Sequence, residues 1–175
     1  MMRGFLIFLA LGCPIVLTIP SFWSLVRMET SVERVGYINE GGVTQWASIG
    51  PLSHWPDWAL VPNNATLTVR SHFEAAPGMP ESGMADIGLS ISAAKGQIAY
   101  ARDLESKGWD VNLSTFDATT PDLPPRPFRQ CRVEARKGTR VLRLMLEEAG
   151  SSSQGSLYWA DGSVTPLLGG SRGTC

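Results

Sequence analysis

Apolar and polar residues alternate along most of the chain after Ala65, and a single stretch changes to a helical period. In Thr66–Glu74, TLTVRSHFE, Leu67, Val69 and Phe73 fall on one face and Arg70, His72 and Glu74 on the other. This pattern predicts a strand with His72 turned to solvent. Ala85, Ile87, Leu89 and Ile91 alternate with Asp86, Gly88 and Ser90, and Trp109, Val111 and Leu113 with Asp110, Asn112 and Ser114. Further on, Cys131, Val133 and Ala135 alternate with Arg132, Glu134 and Arg136, then Leu142, Leu144 and Leu146 with Arg143 and Met145. Leu157 and Trp159 give a last strand ending at Asp161-Gly162.

The exception lies between the second and third of these runs. Ile98, Ala101 and Leu104 form an apolar stripe that predicts a helix over 93–107, capped by Ser92 and closed by Gly108. Asp103 and Lys107 are an i,i+4 pair on it. Upstream, short strands are expected at 35–38 and 43–48. Turn-forming residues separate the elements: a Gly/Pro/Met-rich loop over 77–83, a stiff proline-rich connector over 117–128, a turn at Lys137-Gly138, a flexible loop over 150–155 and a glycine-rich tail at 169–173. No internal repeat is present. The expected fold is α+β: an antiparallel sheet of five or more strands with one main helix packed on a face, after an N-terminal hydrophobic helix.

That first helix is predicted from Gly4–Val26, GFLIFLALGCPIVLTIPSFWSLV, which holds no charge and is long enough to cross a bilayer. Three readings compete. A secretory signal peptide lacks a small-residue cleavage pair, since Pro20, Phe22 and Trp23 follow the apolar run. A lipoprotein signal is half matched by Ala10-Leu11-Gly12-Cys13, but the run continues beyond it. An uncleaved anchor fits the length and the interfacial Trp23 best. The division is therefore 1–26 as membrane anchor or signal segment and 27–175 as one exported domain; about 145 residues is the size of a single core.

Charge and cysteine usage narrow the classes. Lys and Arg number 15 and Asp and Glu 16, and the net charge of -1 predicts neither a nucleic-acid binder nor an acidic tail. Cys13 lies in the apolar run, which leaves Cys131 and Cys175 as an expected disulfide of an exported domain, able to tie down the tail.

Catalytic signatures are imitated more than met. Gly169-Gly170-Ser171-Arg172-Gly173 matches G-x-S-x-G but has only Thr174 and Cys175 after it, and Ser92-Ala93-Ala94-Lys95 matches S-x-x-K without its companion motifs. Only His54 and His72 are available as histidines, neither in a local ligand spacing, so no metal and no cofactor are expected. An acid/base pair of His54 with Asp57, or of His72 with Glu74, is the enzymatic alternative. Pro121–Arg126 fits P-x-x-P-x-R and reads as linker, and the sequons at Asn64 and Asn112 matter only in a glycosylating host.

The favoured reading is a non-catalytic, membrane-anchored domain on the extracytoplasmic, periplasmic side that acts in binding or assembly in the cell envelope. Arg132, Arg136 and Arg143 are expected to share a surface suited to an anionic polymer, a lipid headgroup or an acidic protein. Trp55 and Trp58, in HWPDW, are expected to staple the open end of the sheet, or else to form an aromatic platform.

Overall fold

The computed structural model describes residues 33–38, 44–50, 53–119, 127–166 and 170–175. The expected anchor at 4–26 and the centre of the proline-rich connector lie outside these residues. Among the described residues, no helix is long and apolar enough to cross a membrane.

The helix α1 spans Ala93–Ser106 and is ended by local chemistry at both sides. Ser92, in extended conformation, accepts a hydrogen bond from the Lys95 amide, and the free Ala93 amide donates to Glu148 Oε1 at 3.0 Å. At the far end Gly108 takes φ +77°, the Gly108 amide donates to Glu105 O and the Trp109 amide to Leu104 O. This double closure needs glycine, because a side chain strains the left-handed backbone. The buried stripe is Ala93, Gly96, Gln97, Tyr100, Ala101 and Leu104, broader than the expected Ile98, Ala101, Leu104 set. Gly96 brings helix and sheet together: a Cβ there would lie 2.8 Å from Leu146 and 2.9 Å from Leu89.

Nine strands form one antiparallel sheet: β1 (Glu33–Ile38), β2 (Thr44–Ile49), β3 (Ala65–Phe73), β4 (Glu81–Leu89), β5 (Asp110–Thr119), β6 (Pro127–Lys137), β7 (Arg140–Ala149), β8 (Ser152–Asp161) and β9 (Ser171–Arg172). Their order is β1-β2-β3-β4-β8-β7-β6-β5-β9. Two meanders, β1 to β4 and β5 to β8, meet where β8 pairs with β4 from Glu81↔Asp161 to Leu89↔Ser153. The helix carries the chain from β4 over three strands to β5, so these two strands run parallel, as a helical crossover requires.

One face of the sheet is closed by α1 and by residues 53–62. The fully buried side chains there include Leu142, Leu144, Leu146, Leu157, Trp159, Tyr100 and Leu104. Four expected loops turn out to be partly strand: β5 and β6 reach into the two ends of the connector, β9 lies in the glycine-rich tail, and two more are inside the sheet. β4 begins at Glu81, inside the Gly/Pro/Met-rich stretch, and β8 begins at Ser152 after a tight turn at Gly150, whose φ is +70°. Gly155 belongs in β8 because a Cβ there would fall 1.8 Å from Met145 O. The close approach, not flexibility, explains the glycine.

Cys131 and Cys175 form a disulfide, with Cα atoms 5.7 Å apart. The bond is consistent with an oxidising, extracytoplasmic compartment. It fixes the tail, where Ser171 and Arg172 pair with Thr115 and Ser114 at the outer edge of β5.

Candidate functional site

The site is created by an irregularity in β3. Ala65 to Leu67 pair with Leu89 to Ile87, but the register shifts between Leu67 and Arg70, after which Arg70 opposes Ala85 and His72 opposes Gly83. A bulge of this kind moves every later side chain to the other face. His72 thus leaves the solvent face expected from simple alternation and joins a row that runs across the sheet through Gly83, Trp159, Leu142 and Ala135. Val69, expected inside, is exposed.

On the helix-covered side the His72 ring stacks on Trp159, with centroids 5.8 Å apart and an interplanar angle of 18°. His54 meets it edge-on at 5.1 Å and also contacts Trp159 at 6.3 Å. His72 Nε2 lies 2.8 Å from Glu81 Oε1, and the two side chains are 14% and 43% exposed. Gly83 makes room for this assembly: a Cβ on it would sit 2.4 Å from Trp159 Nε1 and 2.8 Å from Ser71 O.

Around Trp159 three more tryptophans gather. Trp58 approaches it edge-on at 5.6 Å and stacks on Trp109 at 6.3 Å, while Trp55 lies edge-on at 6.3 Å. Trp55 Nε1 donates to Ala59 O at 2.8 Å, and the Arg140 guanidinium lies 5.0 Å from the Trp58 ring centre. These are edge-to-face and cation–π geometries that add to simple burial. HWPDW is a cover over the end of the sheet: both of its tryptophans are half-buried and packed against the core. Its far end is held by Tyr100, whose hydroxyl donates to Leu60 O at 2.6 Å. Trp159 itself is 1% exposed, and its indole nitrogen has no hydrogen-bond partner among the described residues.

The expected arginine surface has a different character. Arg132, Arg136 and Arg143 do lie on the sheet face opposite α1. Arg132 is 9% exposed, with its guanidinium 4.1 Å from the Phe116 ring centre and Nε donating to Gln130 Oε1. Burial pulls its guanidinium below the usual arginine range. Arg136 and Arg143 both bind Glu134, at 3.0 and 2.9 Å, and donate to Val164 O and Thr165 O respectively. Their donors clamp residues 163–166 against the sheet. Neither expected His–carboxylate pair is seen: Glu74 receives Arg34 at 2.9 and 3.1 Å, and His72 takes Glu81 instead.

Glu81 was hidden from sequence reading because it sits in a stretch that reads as loop. Trp46 was likewise passed over; it is 44% exposed and lies 4.9 Å beneath the Arg34 guanidinium on the outer hairpin β1–β2. Among the described residues no group of three or more His, Cys, Asp or Glu is placed to hold a metal ion. The chain matches no protein-family model, no curated protein and no solved structure.

Proposed function

We propose that this chain is an exported domain, tethered to a membrane through residues 4–26, that acts in binding or assembly on the extracytoplasmic, periplasmic side rather than by catalysis. The observation that carries the reading is the Cys131–Cys175 disulfide, which joins the tail to an inner strand and would not persist in a reducing cytosol. Binding is supported by the outer hairpin. Trp46 of β2 and Arg34 of β1 present an exposed aromatic and a guanidinium at one edge of the sheet, and Trp and Arg dominate protein-contact hot spots. This hairpin is a better contact surface than Arg132 and Arg143, because the Arg34 side chain stays 58% exposed while paired with Glu74 and theirs are largely buried.

Fractionation and intact mass of the native protein test the reading. Full-length protein in the membrane fraction, with its disulfide intact and the domain cleaved by protease added from outside, is the expected result. Two free thiols in a cytosolic protein would overturn it.

One observation favours a second reading. The His72–Glu81 contact is the geometry of a general base oriented by a carboxylate, as a small periplasmic hydrolytic enzyme would use it. An activity abolished by His72→Gln in a folded protein would establish that reading over the first.

A further inference from the structure

We propose that His54 and His72 form an acid-sensitive clasp that holds residues 54–59 closed over Trp159 at neutral pH and releases them in mild acid. The chain has two histidines, and the fold brings both to the same tryptophan, 5.1 Å from each other. Imidazole in a model peptide titrates at about pH 6.5.

The charges around the pair determine what protonation does. From β4, Glu81 contacts His72 directly. From β8, Asp161 opposes Glu81 in register, but it is engaged by the Thr139 hydroxyl at 2.6 Å and by Arg140 of β7 at 3.7 Å. On β3, Arg70 precedes His72 by two residues and Glu74 follows it, the latter occupied by Arg34 of β1. From β2 the opposing residue is the uncharged Ser48, and the covering loop contributes the exposed Asp57. Among the described residues, one carboxylate therefore touches the pair. A single imidazolium on His72 is matched by Glu81, whereas two imidazolium rings in edge contact repel each other with one counter-charge between them.

His54 is the ring that yields. His72 is fixed on a strand and to Glu81, while His54 is exposed on a loop. That loop is anchored outside the moving part. Ser53 is held by its amide to Gly50 O and its hydroxyl to Ser48 O, and Leu60 O is held by Tyr100. Residues 54–59 can swing between these two fixed points, carrying Trp55 and Trp58 away from Trp159. The result is that the indole faces of Trp55 and Trp58 are covered at neutral pH and exposed in mild acid.

The test uses the full chain. Tryptophan emission and acrylamide quenching are followed from about pH 7.5 to about pH 5, with far-UV circular dichroism at each point. The expected result is a reversible red shift and a rise in quenching with unchanged dichroism, lost in His54→Gln and in a second variant, His54→Asn. A wild-type signal that stays flat, a transition that persists in both variants, or one that coincides with loss of dichroism would each overturn the clasp.

Discussion

The Cys175 amide donates to Gln97 Oε1 at 2.9 Å, joining the tail to the middle of the helix. The same side chain donates through Nε2 to Ser114 O at 3.1 Å and Arg132 O at 3.0 Å, and it is fully buried. Gln97→Leu would remove all three bonds and is expected to lower stability by about 2–4 kcal/mol, at about 0.5–1.5 kcal/mol for each. Urea denaturation at constant slope measures it.

The two glycines of β4 should respond in opposite ways. Gly83→Ala puts a methyl against Trp159 and the Ser71 carbonyl, and overpacking of this kind costs about 1–3 kcal/mol. Gly88→Ala meets nothing within 4 Å and should be neutral or stabilising by up to about 1 kcal/mol. Thermal unfolding of the pair, with tryptophan emission as a second probe for Gly83→Ala, checks both.

Cys175→Ser is expected to cost about 4 kcal/mol, because the bridge closes a 44-residue separation in the unfolded chain. Reductant added to the wild type should reproduce the loss and leave the variant unchanged. Amide exchange should then rise first at Gly173, whose amide donates to Leu113 O, and along the β9–β5 pairing beside it.

Burial pushes the Tyr100 hydroxyl far above the ordinary phenol range, and the Asp103 carboxylate adds to the shift. The folded state keeps this proton while the unfolded chain releases it near pH 10. Its contribution is therefore complete below about pH 10 and declines as pH rises further. Denaturation midpoints measured from about pH 8 to about pH 11 should fall more steeply in the wild type than in Tyr100→Phe. At neutral pH that variant, which leaves Leu60 O without its donor, should lose about 1–2 kcal/mol.

The contrast between α1 and β3 shows what the sequence could convey. Helix α1 was legible because Ser92 and Gly108 are the residues its ends require, and the pairing strands β6 and β7 because their faces alternate without interruption. The bulge in β3 was not, since one extra residue inverts the face of His72 while leaving the local alternation intact. Gly155 misled for a related reason: glycine marks both a loose turn and a strand pressed against a neighbour's carbonyl, and only the neighbour tells them apart. The disulfide was readable from the count of cysteines, but Gln97 was not, because a polar residue at a helix position reads as exposed until three backbone groups are seen around it.

The strand order has a bearing on when this molecule can fold. β4 sits at the centre of the sheet, yet its inner neighbour β8 is made some seventy residues later, after the whole second meander. Such distant pairing is slow to form, because the ends of a long unstructured stretch must meet before any contact rewards them. A chain emerging N-terminus first holds its first four strands without their central partner, and Cys131 without Cys175, until almost all of it is available. The central β4–β8 pairing and the Cys131–Cys175 bond can therefore both form only once nearly the whole chain is available.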